Sequence, residues 1–425
     1  MQEDFLHYIW NFKKFDFRNA TTVDGQPVLI FNGGTANFNA GPDFFNAKIQ
    51  IGKQMWAGNV EIHIRSADWY LHQHQTDPSY DNVVLHVVWE DNMEIFRKDN
   101  TVIPTMELKS LVTEDTMRSY RELLLAPNAK WINCEREFYG FEDFEVGNWL
   151  ERMYLEKLEQ REVGIKDLLR QSENDWEAVL FALLARGFGL KVNGEAFLSL
   201  AQSLDFSTVQ KCRNEPNQME ALFLGQSGIL DKNNEDGYFQ ELRKEYHYLK
   251  RKFGLNNSGV ERPKYFRLRP ENFPNIRLSQ LASLYSTIPH LFSKIIAAKN
   301  RRELQAIFSI ETSAYWGSHY NFGKQHSPRH KKLSADFTDL IIINTIVPLQ
   351  FSYFRTMGRD NTQDLLNLMQ EIKAEKNSVI EKYNLLRPNT AVTALQSQGL
   401  LHLKKAYCDR NFCLKCSLGS KLIRG

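Results

Sequence analysis

The sequence predicts an α+β protein: an N-terminal domain on a mixed β-sheet, then a large all-α part, then a short cysteine-bearing tail. Three observations predict it. From about residue 20 to 100, short apolar runs alternate with turns rich in Gly, Asn and Asp, the texture of strands. Beyond about residue 115, apolar residues recur at i, i+3, i+4 and i+7, the period of amphipathic helices. Three of the five cysteines crowd the C-terminus, at 408, 413 and 416. The expected boundaries are 1–115, 116–400 and 401–425.

The elements follow in order. Phe5, Tyr8, Ile9 and Phe12 share one face of a first helix. Asp24-Gly25 is a turn, Val28–Phe31 a strand, and Asn32-Gly33-Gly34 a second turn. Phe44–Ile51, Asn59–Arg65, Val83–Glu90 and Met93–Arg97 read as strands, with Asp91-Asn92 closing a hairpin between the last two. Leu150, Met153, Tyr154 and Leu158 mark a helix. Trp176, Val179, Leu180, Leu183 and Leu184 mark another, which Gly187 and Gly189 stop. Leu278, Leu281, Ala282 and Tyr285 mark a third. Val392, Leu395 and Leu403 mark a last one, interrupted by Gly399. Asp231–Gly237 reads as a polar loop, and Arg262–Pro274, with three prolines, as an extended connector.

The 425 residues are 42% hydrophobic and 24% charged, which excludes wholesale disorder. A net charge of +2 argues against a polybasic mode of binding and leaves room for a local basic groove. Residues 1–10 lack the basic and apolar regions of a secretory signal. The most apolar run, Leu340–Pro348, is shorter than the roughly 18 residues a membrane span needs. A cytoplasmic protein with no membrane partner is expected.

The most informative block is Gly41-Pro42-Asp43-Phe44 followed by Val60-Glu61-Ile62-His63. A Gly-Pro turn delivers Asp43 to the head of a strand. Glu61 and His63, two apart on a strand, point to one face. Asp43 and Glu61 can then meet across two antiparallel strands. Two carboxylates brought together repel unless a cation lies between them, and Mg²⁺ or Mn²⁺ is the natural occupant. The structural alternative is a strand–turn–strand with an outward Glu-x-His.

Pro42-Asp43 with Glu61-Ile62-His63 resembles the PD-(D/E)xK nuclease motif, with His in place of Lys. The resemblance covers about 65 residues and implies a restriction-endonuclease-like sheet domain. It implies that Asp43, Glu61 and the Ile62 carbonyl ligate the metal, helped by Glu3 on the preceding helix. His63 would take the place of the water-handling Lys, without its permanent charge. The implied activity is metal-assisted hydrolysis of nucleic-acid phosphodiesters, DNA first. The stretch Ser66–Asn82 is shorter than the helix such nucleases usually carry there. Glu107-Leu108-Lys109 is a literal Glu-x-Lys competitor without a Pro-Asp turn. The series from the Trp10 helix through these motifs to the terminal cysteines also resembles, over the whole chain, a family of uncharacterised bacterial proteins.

His72, His74 and His86 lie near His63. His72 and His74 are candidates for substrate phosphate or a second metal, with Asp77 a further ligand; His86 alone reads as a buried strand residue. A zinc hydrolase built on His63, His72 and His74 is the competing metal reading. Trp56, Trp69 and Tyr80 could stack bases, though Trp is more often core. Cys408, Cys413 and Cys416 need one more ligand for a four-ligand site. Cys134 is the first choice, with Cys212 and His402 the alternatives, and the occupant would be an iron–sulfur cluster or Zn²⁺. Lys404, Lys405, Arg410, Lys415, Lys421 and Arg424 make the tail basic. The 315–324 stretch and the arginines Arg262, Arg267, Arg269 and Arg277 are weaker candidates for a phosphate channel. No phosphate-binding glycine loop of the nucleotide-binding types occurs. The alternative function is a non-catalytic nucleic-acid-binding or scaffold protein with a degenerate site.

Overall fold

The computed structural model describes residues 1–37, 39–125 and 130–423. They form two compact units, residues 1–149 with 403–425 and residues 150–402. The helical texture that begins near 115 therefore starts inside the first unit. Apolar periodicity reports local conformation; it does not say which core a helix joins.

In the first unit, helix α1 (Glu3–Asn11) buries Phe5, Leu6, Tyr8, Ile9 and Trp10. Phe5 stacks on Tyr120 at 4.0 Å, and the Tyr8 hydroxyl donates to the Ser420 carbonyl at 2.8 Å. Strands β1 (Val28–Asn32), β2 (Thr35–Ala36), β3 (Phe44–Ile51), β4 (Gln54–Arg65), β5 (Val83–Glu90) and β6 (Thr105–Glu107) form one mixed sheet. Its order is β1-β3-β4-β5-β6, with β2 also paired to β3. β1, β3 and β4 run antiparallel, whereas β4, β5 and β6 run parallel.

The central strands β4 and β5 are buried on both faces from Gly58 to His63 and from Val83 to Val88, as parallel pairing requires. Their crossover is the short α2 (Asp68–Leu71) with two single 3₁₀ turns. Gly58 permits their close approach: a Cβ there would come within 2.4 Å of Val84 and 2.6 Å of the Asn82 carbonyl.

Two expectations are corrected here. Met93–Arg97 is not a strand, and the hairpin at Asp91-Asn92 does not form. β5 already has a parallel neighbour on each side, so no antiparallel partner can follow it by a tight turn. Glu107, of the Glu-x-Lys competitor, closes β6 and accepts the Asp91 N–H at 2.9 Å, while Lys109 pairs with Glu90.

The second unit is helical. α3 (Glu114–Tyr120) still belongs to the first unit, and α4 (Asp143–Gln171) crosses the division. α5 (Trp176–Phe188), α6 (Leu190–Gln202), α7 (Phe206–Cys212), α8 (Pro216–Gln226), α9 (Gly237–Phe253) and α10 (Pro274–Thr287) follow. Gly187 lies within α5, and Gly189 caps it. The apolar run from 340 to 348 sits inside a longer helix, Ala335–Thr356, which is long and apolar enough to cross a membrane by length and composition alone. Its most apolar window is 78% buried within the protein, as in a core helix.

The Tyr315–Lys324 stretch is part of this core. The buried Glu220 carboxylate accepts from the Trp316 indole, the Ser279 hydroxyl at 3.0 Å and the Tyr238 hydroxyl at 3.3 Å. The four arginines do not line one channel: Arg277 is buried on Gln280 and Asn272, while the other three are exposed and Arg262 pairs with Asp231.

Candidate functional site

The antiparallel pairing of β3 with β4 creates the site. Asn37 accounts for the preceding loop: its side-chain amide donates to the carbonyls of Asn39, Ala40, Gly41 and Pro42, and Gly41 supplies the left-handed φ of 100°. Asp43 is thereby set opposite Glu61. Glu61 Oε2 accepts the Asp43 N–H at 3.1 Å, and Asp43 Oδ2 accepts the Ile62 N–H at 2.9 Å. Asp43 and Glu61 thus meet as the spacing predicts, and Ile62 is engaged through its N–H.

Imidazoles surround this pair. His74 Nε2 lies 3.2 Å from Glu61 Oε1, and His7 Nε2 lies 3.2 Å from Asp43 Oδ2. His74 Nε2 is buried without a hydrogen-bond partner. His63 shares the face of Glu61, with Nε2 3.6 Å from Oε1. His63, His72 and His74 place their ligand atoms within 4.8 Å of one another. The rim is open, since the Asp43 and His7 side chains are 22% and 36% exposed and His72 is exposed.

A chain of ring nitrogens leads outward: His86 Nε2 to His63 Nδ1 at 2.8 Å, then His63 Nε2 to His72 Nδ1 at 3.0 Å. A neutral imidazole has one donor and one acceptor, so one proton orders the whole chain. His86 Nδ1 is buried and unpartnered. Leaving a lone pair there, and not an N–H, assigns the donation as His86 to His63 to His72.

The electrostatics follow from burial. Burial first, and the Asp43 carboxylate second, push the Glu61 carboxyl up to about 9. Burial, then the neighbouring histidines, pull His63 far below its ordinary value, and burial pulls His86 down to about 3. For His7, burial opposes the imidazolium, but a hydrogen bond to Asp43 and the charges of Asp43, Glu3 and Glu61 together raise it. Glu3 belongs to the same neighbourhood: burial raises it, partly offset by His72 and His7.

The remaining candidates sort clearly. Asp77 is exposed, and its carboxylate accepts the Ser79 N–H at 2.9 Å. Trp69 and Tyr80 are buried, and Tyr80 stacks on His74 at 3.8 Å; neither is free to stack a base. His7 is the member that sequence reasoning missed. Its signal was the Glu3–His7 spacing of one helical turn, which puts both on one face of α1.

Cys134, Cys408, Cys413 and Cys416 all lie in the first unit, whereas Cys212 and His402 lie in the second. His402 is engaged with Glu156 at 3.2 Å. Of the basic tail, Lys404 pairs with Asp409 and Lys421 with Glu145; Arg424 lies outside the described residues.

Fold and site define an α+β protein whose mixed sheet carries a partly buried carboxylate–imidazole centre. Residues 3–378 match the family described as "Protein of unknown function (DUF2851)", and the chain belongs to that family. The match includes every residue of the carboxylate–imidazole centre and ends before the three C-terminal cysteines. No curated protein and no solved structure matches the chain.

Proposed function

We propose that this protein is a metal-dependent nuclease hydrolysing DNA phosphodiester bonds at the Asp43–Glu61 centre. The observation that carries the reading is the meeting of the Asp43 and Glu61 carboxylates, each accepting an N–H from the other's strand and each 3.2 Å from a histidine nitrogen. A cation among these atoms offsets the repulsion of the carboxylates. The helix bearing Glu3, the antiparallel β3–β4 pair and the parallel β5 after a short crossover support a restriction-endonuclease-like arrangement. The four-residue α2 is a departure from it.

Asp43 and Glu61 would hold Mg²⁺ or Mn²⁺, with Glu3 and the Ile62 carbonyl as further ligands. The bound ion supplies Lewis-acid polarisation of the phosphoryl oxygen and acidifies water. The chain's own part is proton handling. His63 is unprotonated at neutral pH because burial disfavours its charge. In its other tautomer, with the Nδ1 proton donated to His86 Nε2, His63 would take the proton of the attacking water on Nε2 and hand it to His72 Nδ1. The exposed His72 then releases the extra proton to solvent.

The test is cleavage of single- and double-stranded DNA with Mn²⁺ or Mg²⁺. Asp43→Ala and Glu61→Ala should each abolish it while leaving the circular dichroism spectrum unchanged; cleavage surviving both substitutions overturns the reading. A second reading, zinc-dependent hydrolysis, is favoured by the His63–His72–His74 grouping within 4.8 Å. It predicts stoichiometric zinc in the purified protein, lost on His72→Ala. Binding of DNA without turnover, unaffected by chelator, would instead favour a non-catalytic binding protein.

A further inference from the structure

Helices α4, α5 and α6 and the Ala335–Thr356 helix enclose a cleft of about 730 Å³ within the second unit. That volume falls in the range of sites that hold small organic ligands. Gly187 brings α5 against the Ala335–Thr356 helix to form one wall: a Cβ there would come within 2.8 Å of Thr345 Oγ1 and 2.9 Å of Ile341 Cδ1. Leu168, Leu183, Leu198, Leu340 and Pro348 give the cleft apolar surface. Three of the four charged residues on it are cations, Arg161, Arg186 and Lys191, against Asp167. Asp167 pairs with Arg170, and Arg186 with Glu195.

Arg161 is half-buried, whereas Arg186 and Lys191 are exposed. Its guanidinium donates to neutral oxygens: Nη2 to Asn344 Oδ1 at 2.9 Å, and Nη1 to the Ile343 and Asn344 carbonyls at 3.4 and 3.5 Å. Among the described residues no carboxylate lies within ion-pair distance of it. Glu375 favours its charge from farther off and is itself engaged with the Gln398 amide. A cation partly out of water and without a counter-ion carries a desolvation cost, which an anion in the cleft would offset.

Departures from regular backbone meet at the same cleft. The carbonyls that Arg161 reaches belong to a single π turn, Ile342–Ile346. Such wide turns inside α-helices are frequent at functional sites. Leu190, between α5 and α6, lines the cleft at φ 53°, a left-handed conformation that branched side chains rarely adopt. Gly164 lies inside α4, one turn beyond Arg161, where a glycine weakens the helix. Close packing does not demand it: a Cβ there would meet nothing within 4 Å. The missing side chain leaves open space at the cleft. We infer that this cleft binds an organic anion with an apolar body, its carboxylate or phosphate head on Arg161 and its body against the leucines. The inference does not depend on the nuclease reading.

The experiment is calorimetric titration of the full chain with decanoate, with decyl phosphate, and with decanol, which has the same tail without the charge. The expected result is saturable binding of one anion per chain, the tighter of the two naming the head group. Decanol should bind more weakly than either. Arg161→Met should weaken the anions by roughly 10–100-fold, the worth of a charge-assisted hydrogen bond, and leave decanol unmoved. Gly164→Leu guards against loss through misfolding. It should abolish binding by filling the open space, while keeping or raising Tm, because leucine favours a helix. Decanol bound as tightly as the anions, binding undiminished in both variants, or no saturable binding of either anion overturns the inference.

Discussion

The carboxylates of Asp43 and Glu61 each accept a backbone N–H from the other's strand, at 3.1 Å to Asp43 and 2.9 Å to Ile62. These bonds set the two acids side by side. Two acids held this close carry an electrostatic cost.

Neutralising one member should relieve that cost. Asn at 43 or Gln at 61 keeps an oxygen to accept the same N–H. In chelator-treated protein, Asp43→Asn and Glu61→Gln should each raise Tm by about 2–4 °C, equivalent to roughly 1 kcal/mol. Mn²⁺ should raise the Tm of the wild type and leave both variants unmoved. A fall in Tm for both variants in chelator would show that the acids are no burden, and the cation argument would lose its support.

His63 separates the two metal readings. As a proton-handling residue, His63→Gln should keep Mn²⁺ affinity by calorimetry and lower single-turnover cleavage by about 10²–10⁴-fold. As a zinc ligand, the same change should instead release the metal. The measurement is metal content and cleavage rate on one preparation.

Much of the sheet is legible in sequence because its strands show apolar patterns, alternating over Ala47–Ile51 and nearly continuous over Val83–Val88, bounded by turn residues. Phe44–Ile51 and Val83–Glu90 have the expected ends. Met93–Arg97 misleads because a local apolar run cannot reveal that β5 is already paired on both sides. The meeting of Asp43 with Glu61 follows from spacing, whereas His7 arrives from a helix whose docking no local pattern encodes. The His86–His63–His72 order depends on the parallel register Glu61↔His86, a long-range fact. That Cys134 and the tail share one unit is likewise written in the tertiary fold; spacing suggested only that a fourth ligand was needed.

Gly58 tests the packing beneath the site. Any side chain there meets Val84 and the Asn82 carbonyl inside contact distance, and the obstruction on one side is main chain. Gly58→Ala should cost about 1–3 kcal/mol by overpacking. It should also misplace Glu61, three residues on along β4. The expected outcome is a lower urea midpoint together with loss of the Mn²⁺-induced rise in Tm. An unchanged midpoint would mean that β4 and β5 accommodate the added methyl without loss of stability.

Lys331 supplies a prediction in pH. Its ammonium is buried, donates to the Trp316 and His319 carbonyls and to His326 Nε2 at 3.0 Å, and lies 3.6 Å from the Tyr320 ring centroid. Burial nevertheless pulls it down from 10.5 to about 8. Between those values the unfolded chain binds more protons than the folded one, so stability rises with pH across that window. Below about 8 the cost of the buried charge is present in full. Lys331→Met removes the charge but strands two carbonyls, so it should destabilise by about 2 kcal/mol at pH 7. It should also flatten the slope between pH 8 and 10.5. The difference in urea midpoint between wild type and variant, measured across that range, should therefore widen with pH. A difference that narrows would mean that the carbonyls and the Tyr320 ring outweigh burial and hold the ammonium charged.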